Sequence, residues 1–344
     1  MATELLPGFT VLVPTFNSGG RLWRCLDSIR AQDYPRSKVQ IVVADGGSTD
    51  DTVSIAEAYG ATVVENPLRL AEEGLRVGIP FAEREYLVIF ADDNELASVD
   101  WLSMVECIFR SNLKVSAFWC RLGASDDDPE VNKYYALIES EPLSYFVNRN
   151  LGGYLASSPA KSCGGHRYHI FNVEQGRPLV WGANGLVFRT ALAKPLWDTD
   201  RYLGDNDAFQ TMLENGDRTV AYSRDLCVYH HHVEKLLTWR EKWSRNFSKH
   251  FLVNIESRNL NWLFVPHFKV KVMAWALYSL VPVVSIPDAI IRAIRDRDWH
   301  WLYHPAASFL QASTYLRILL TTPQGRDYIV STFRGSSASS SRTR

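Results

Sequence analysis

Several common signatures are missing from this sequence. It has five cysteines in 344 residues, and neither these nor the histidines show zinc-ligand spacing. An odd number of cysteines without paired spacing argues against a disulfide framework and for a reducing compartment. The glycine-rich segment Asp45-Gly-Gly-Ser-Thr-Asp50 lacks the Gly-Lys-Ser/Thr ending of a P-loop. It also lacks the Gly-x-Gly-x-x-Gly pattern of dinucleotide sites. The opening Met-Ala-Thr-Glu has no basic stretch leading into an apolar one, so no secretory signal is expected. The uncharged run Val272–Pro287 holds 16 residues and contains Pro282, short of the ~20 that a spanning helix needs.

A net charge of −1 conceals a split. Residues 235–344 carry 16 Lys/Arg against 6 Asp/Glu, and residues 1–234 carry 21 against 32. In the basic part, Leu236, Trp239, Trp243, Phe247 and Phe251 recur at helical spacing beside Lys235, Lys242, Arg245 and Lys249. Lys269 and Lys271 precede the uncharged run, and Arg292, Arg295 and Arg297 follow it, then Trp299, Trp301 and Tyr303. Cations with interfacial aromatics point to helices lying in a membrane surface. The competing reading is a helical cap on the preceding domain. Nucleic acid is not expected, because the apolar content is too high for a phosphate-binding face. The expected organisation is therefore a domain over 1–234, a basic helical region over 235–334 and a disordered tail over 335–344.

The N-terminal half alternates buried-strand and helix patterns. Strands are expected at Phe9–Val13, Val39–Ala44, Ala61–Glu65 and Tyr86–Ala91, with helices at Arg21–Gln32, Thr52–Tyr59 and Glu72–Glu83. That order gives a Rossmann-like α/β fold with a mostly parallel sheet, whose ligands bind at the carboxyl ends of the strands. Pro14, Asp45 and Asp92 all fall at that edge. Asp92-Asp93-Asn94 places two carboxylates at a strand end, where they repel unless a cation lies between them. Mg²⁺ or Mn²⁺ carrying a polyphosphate suits such a place. Asp45 among glycines suits a nucleobase, since a carboxylate accepts from a ring N–H.

Val11-Leu-Val-Pro-Thr-Phe-Asn17, Val42 to Thr52 and Phe90-Ala-Asp-Asp-Asn94 resemble, in order, the signature segments of family 2 glycosyltransferases. The resemblance covers roughly residues 8–250. It implies the GT-A fold and inverting transfer of a sugar from a nucleotide-diphosphate sugar. It would place Asp45 on the base and Pro14, Thr15 and Asn17 around the nucleotide. Asp92 would approach the ribose or metal, Asp93 would ligate Mn²⁺ or Mg²⁺, and Arg76 would join the donor-binding set. The family often writes Asp-x-Asp-Asp here, and the first of these falls on Ala91. Gly182 and Ala183, in Val180–Arg189, would line the donor sugar and acceptor. Leu203-Gly-Asp-Asn-Asp207 resembles a Glu-Asp-x-Asp segment with Gly204 in place of Glu, which aligns Asp205 with the catalytic base and Asp207 two residues on. The family's basic element over the diphosphate would be Arg240, Lys242 and Arg245.

Val228-Tyr-His-His-His232 ends another strand. Neighbours on a strand alternate sides, so three adjacent histidines cannot all face one metal. The resemblance aligns His230 with a metal ligand. The expected activity is a metal-dependent transferase acting on a lipid-linked or cell-surface glycan acceptor at the cytoplasmic face of a membrane. A nucleotidyltransferase that makes nucleotide sugars, and an inactive nucleotide-sugar-binding protein, are the alternatives.

Overall fold

A computed structural model describes residues 6–147, 150–177, 179, 184–199, 203–259 and 267–334. Ten strands form the sheet: β1 (Phe9–Thr15), β2 (Val39–Asp45), β3 (Thr62–Glu65), β4 (Tyr86–Ile89), β5 (Asn94–Leu96), β6 (Ala117–Gly123), β7 (Lys161–Cys163), β8 (His166–Asn172), β9 (Leu186–Arg189) and β10 (Thr219–His230). Their order is β3-β2-β1-β4-β9-β6-β10-β8-β7, with β5 on β10. β1, β2, β3 and β4 are parallel. β9 enters antiparallel between β4 and β6, and β10 runs parallel to β6. This is a mixed α/β fold around a central, mostly parallel sheet, of the kind a GT-A domain has.

β1 and β4 are buried along most of their length, as strands covered on both faces must be. β1 runs past Pro14 to Thr15, further than the apolar pattern predicts. Proline donates no hydrogen bond, and Pro14 lies beyond Leu12↔Ile89, where the β1–β4 ladder ends. The helix Ala71–Gly78 sits tight on this strand, because a Cβ at Gly74 would lie only 2.7 Å from that of Pro14.

The chain divides into two compact units, and the division is more interleaved than the charge split suggests. One comprises residues 1–128, 148–232 and 259–268; the other comprises 129–147, 233–258 and 269–344. The first holds the whole sheet and the core that includes Leu12, Val42, Leu87, Phe188 and Phe209. It also holds a disulfide between Cys107, on the helix Trp101–Ser111, and Cys163 in β7. This corrects the expectation of unpaired cysteines. Their separation of 56 residues resembles no short motif, and only the fold brings them together. Cys25, Cys120 and Cys227 are buried and take no part in this disulfide.

The second unit is helical: Glu130–Ile138, Pro142–Val147, Leu236–Arg245, Phe268–Leu280, Pro282–Asp296, His304–Thr321 and Pro323–Arg334. Among the described residues no single helix is long and apolar enough to cross a membrane. Phe268–Leu280 and Pro282–Asp296 pass that test only as a pair, bent by 89°.

Candidate active site

The C-terminal ends of β1, β2 and β4 carry three loops that the sequence reading brings to one crevice. The loops after β1 and β2 are knitted together. The Asn17 N–H donates to Ser48 Oγ (2.8 Å), the Thr49 N–H to Asn17 Oδ1 (2.9 Å) and the Ser18 N–H to Thr52 Oγ1 (2.7 Å). Asn17 holds this position at φ +50°, a conformation that asparagine tolerates better than most residues. Asp45 is buried, and its carboxylate organises the same corner. Oδ2 accepts from the N–H groups of Gly47 (2.9 Å) and Ser48 (2.8 Å). Oδ1 accepts from the hydroxyls of Thr15 (3.1 Å) and Ser48 (2.5 Å). These four donors fill the carboxylate's lone-pair sites, but a hydroxyl rotates easily and can yield its place to a ligand N–H.

Asp92 is buried and takes an ion pair from Arg21, whose Nη2 and Nε lie 2.7 and 3.1 Å from Oδ2. Ser18 Oγ donates to the same oxygen. Burial, and then the charge of Asp93, raise the pKa of Asp92; Arg21 and Ser18 oppose that rise. Behind them the Cys25 thiol is pushed well up by burial and then by Asp92 and Asp93, so it is no nucleophile. The segment Asn17-Ser-Gly-Gly-Arg21 that follows β1 thus spends its cation on Asp92.

Asp93 meets the histidines. β5 runs antiparallel to β10 with His230 opposite Asn94, so the residue before Asn94 falls beside the end of β10. Asp93 Oδ1 lies 3.3 Å from His230 Nε2, and His230 Nε2 lies 3.1 Å from His232 Nδ1. One ligand atom from each of Asp93, His230 and His232 falls within 4.8 Å of the others, a set that could hold a metal ion. His231 points elsewhere, to Asp128 (2.8 Å) and Glu95 (3.2 Å), and hydrogen bonding to Asp128 is the main cause that raises its pKa. The alternation that excludes three histidines from one metal therefore admits two of them, and it could have identified His232.

Asn184 is a second residue the sequence reading missed. Its Nδ2 lies 3.2 Å from His230 Nδ1, and its Oδ1 accepts from Asn94 Nδ2 at 2.7 Å. With His230 Nδ1 accepting, the neutral ring carries its proton on Nε2, the atom facing Asp93; a metal at Nε2 needs that proton on Nδ1 instead, with the Asn184 amide turned to present its oxygen. Gly185 follows at φ +74°, and a Cβ there would come within 2.8 Å of Val228. That glycine lets β9 start hard against β10. Gly182 and Ala183 lie outside the described residues.

Asp205 and Asp207 open the helix Asp205–Glu214, packed on the core through Ala208, Phe209, Met212 and Leu213. Asp207 is fully buried and serves the backbone: Oδ2 accepts the Gly204 N–H (3.1 Å) and Oδ1 the Asn259 N–H (2.6 Å). Asp205 is only half-buried, at the first turn. Arg76 forms a two-point pair with Glu73 one turn earlier through Nη2 and Nε (2.5 and 2.8 Å). Arg240, Lys242 and Arg245 lie on the helix Leu236–Arg245 of the second unit.

Residues 10–172 match the model of glycosyl transferase family 2. The glycosyltransferase AglE of Haloferax volcanii is 35% identical over 71 residues, which are 21% of this chain and 23% of that one. A PGL/p-HBAD biosynthesis glycosyltransferase of Mycobacterium bovis is 31% identical over 105 residues, 29% of this chain and 40% of that one. The chain thus spans less than half the length of these curated relatives. Among solved structures, the mannosyltransferase PcManGT from Pyrobaculum calidifontis overlays with a TM-score of 0.49 at 18% identity, over 96% of this chain and 81% of that one. The matched segment runs from β1 to the end of β8 and contains Asp45, Asp92 and Asp93; over it the chain is similar to glycosyl transferase family 2.

Proposed function

We propose that the chain is a metal-dependent, inverting glycosyltransferase that moves a sugar from a nucleotide-diphosphate sugar to a hydroxyl on a lipid-linked or cell-surface glycan acceptor. One observation carries this reading: Asp93, which follows Asp92 within the segment that matches this family, converges with His230 and His232. Two imidazoles and one carboxylate are a donor set that suits Mn²⁺ better than Mg²⁺. Asp93, His230 and His232 would hold the ion, which when bound neutralises the departing nucleoside diphosphate. Asn184 and Asn94 hold His230 in place, and Arg21 with Ser18 fixes Asp92 at the ribose side of the pocket.

Asp205 is the base. It takes the proton of the acceptor hydroxyl as that oxygen bonds to the anomeric carbon and the bond from this carbon to the diphosphate oxygen breaks. Attack from the face opposite the leaving group inverts the anomeric centre. Asp207, with both oxygens held by backbone N–H groups, keeps the helix start rigid beneath it.

The test is a panel of nucleotide sugars screened by thermal shift with and without Mn²⁺. Each stabilising donor is then incubated with polyprenyl-phosphate and oligosaccharide acceptors, and the product's anomeric configuration is read by NMR. A stabilising donor, Mn²⁺-dependent turnover and an inverted product support the proposal. Pyrophosphate release from a sugar 1-phosphate and a nucleoside triphosphate would favour a nucleotidyltransferase. Donor binding without hydrolysis or transfer would favour an inactive binding protein.

A further inference from the structure

The second unit has a core of buried aromatics such as Trp239, Trp243 and Trp301, yet some of its helices turn large aliphatic side chains outward. On the helix Pro282–Asp296 the buried residues are Ser285 and Ala289, both small. Its large side chains Val283, Val284, Ile286, Ile290, Ile291 and Ile294 are exposed, Val283 by 75% and Ile294 by 74%. On Phe268–Leu280, Trp275 and Ser279 are buried while Val270, Met273 and Leu277 are exposed. The helix His304–Thr321 buries Ser308, Gln311 and Thr314 and exposes Phe309, Leu316 and Leu320. A helix of a water-soluble core does the reverse, since an apolar stripe gains by leaving water. Small and hydroxyl residues inside with large aliphatics outside is the arrangement of helices whose surroundings are hydrocarbon.

Charge follows the same division. Asp288 and Arg292, in the middle of the exposed stretch, pair with each other (2.8 Å). Tyr278 donates to Asp288 at 2.7 Å, and Arg292 Nη1 lies 3.2 Å from the Tyr145 hydroxyl with its guanidinium over the Trp301 ring. Exposed cations stand at the two ends: Lys269 before the pair of helices, Arg295 and Arg297 after it, followed by the exposed Trp299. Cations and an indole at the borders of an apolar surface sit at the level of lipid headgroups.

We propose that the bent pair Phe268–Asp296 inserts its outer face into one leaflet of an anionic bilayer, anchoring the chain from one side without crossing. Length sets the depth. A 13-residue helix is about 20 Å long, less than the ~30 Å hydrocarbon core, and the 89° bend at Val281 turns the second helix away from the first. The occupant is lipid rather than a second copy, because Lys269, Arg295 and Arg297 border the patch at its two ends, and the one exposed carboxylate among them, Asp296, is paired with Arg295 (2.7 Å). This anchor stands independently of the transfer reaction.

The test is flotation of the full chain with phosphatidylcholine vesicles, with and without phosphatidylglycerol, at low and high salt. Ile290→Glu/Ile294→Glu and Arg295→Gln/Arg297→Gln variants are run alongside, and far-UV circular dichroism in detergent checks the fold. Wild type should float with both lipids, and more with the anionic one; high salt should remove only that excess. The Glu pair should lower partition at least about 10-fold, and the Gln pair should abolish only the anionic preference. A lipid bearing a photoreactive diazirine in its acyl chain should label wild type within 283–294, which serves if the Glu pair fails to fold. Wild type that is monodisperse without detergent and stays out of the floating fraction overturns the proposal. So does a detergent-free dimer that ignores vesicles, a folded Glu pair that floats like wild type, or acyl-chain labelling confined to other segments.

Discussion

Asp93 Oδ1 and His230 Nε2 lie 3.3 Å apart because β5 folds back antiparallel onto the end of β10. Neither residue is adjacent to the other in any local pattern. The contact turns an acidic strand end into one side of a nitrogen-rich cation site, and His232 completes it from the same side of the chain.

The first prediction follows from that contact. Asp93→Ala or His230→Ala should abolish transfer and make nucleoside-diphosphate binding insensitive to Mn²⁺. His232→Ala should weaken Mn²⁺ binding by about 10-fold or more while leaving nucleotide binding without metal unchanged. Asn184→Ala should act in the same direction but less, since it orients His230 without joining the cluster. Isothermal titration with Mn²⁺ and nucleoside diphosphate separates the cases. Full turnover in EDTA would remove the metal from the mechanism.

The second prediction concerns the ion pair behind the site. Arg21→Ala leaves the buried Asp92 carboxylate with the Ser18 hydroxyl but without its cation. Stability should fall by about 1–3 kcal/mol, and Asp92→Asn in the same background should restore part of it, because the uncompensated charge is the source of the loss. Thermal melts of the two single variants and the double variant measure the coupling.

Legibility in the sequence was uneven, and for physical reasons. β1 to β4 were readable because buried parallel strands are continuous apolar runs of β-branched residues. Their ends were readable as polar loops, which placed Asp45, Asp92 and Asp93 at one edge. β9 was less legible. Leu186–Arg189 looks like one arm of a hairpin, and only tertiary pairing inserts it between β4 and β6. Asn184 and the disulfide were invisible for the same reason, since each depends on partners remote in the chain. The basic tryptophan-rich segments were legible as composition, but not the inversion of their packing. Seeing that Ser285 and Ala289 face inward while Ile290 and Ile294 face out requires the structure.

The third prediction tests the covalent link. Cys107–Cys163 closes a loop of 56 residues and ties the helix Trp101–Ser111 to β7. Reduction, or Cys107→Ser with Cys163→Ser, should cost about 2–4 kcal/mol, because the unfolded chain regains the conformations that the link removes. Melting with and without a phosphine reductant should show a drop for wild type and none for the double variant. Thiol counting on the oxidised chain should find three free cysteines after unfolding.

The fourth prediction separates the two carboxylates of the Asp205–Glu214 helix. Asp207 is fully buried, and each of its oxygens already accepts a backbone N–H, from Gly204 and Asn259. Asn in its place turns an NH₂ toward one of those donors, so a buried N–H loses its acceptor. Asp207→Asn should therefore lower stability by about 1–3 kcal/mol. Asp205 carries the proton-transfer role, and Asp205→Asn should leave the melting temperature and donor affinity nearly unchanged while turnover falls by about 10²-fold or more. The two variants thus differ in which measurement moves. If Asp207→Asn keeps the wild-type melting temperature and loses turnover, while Asp205→Asn stays active, the base is Asp207 and its backbone contacts merely orient it. If donor affinity falls in step with turnover in Asp205→Asn, that residue binds the donor and the base lies elsewhere.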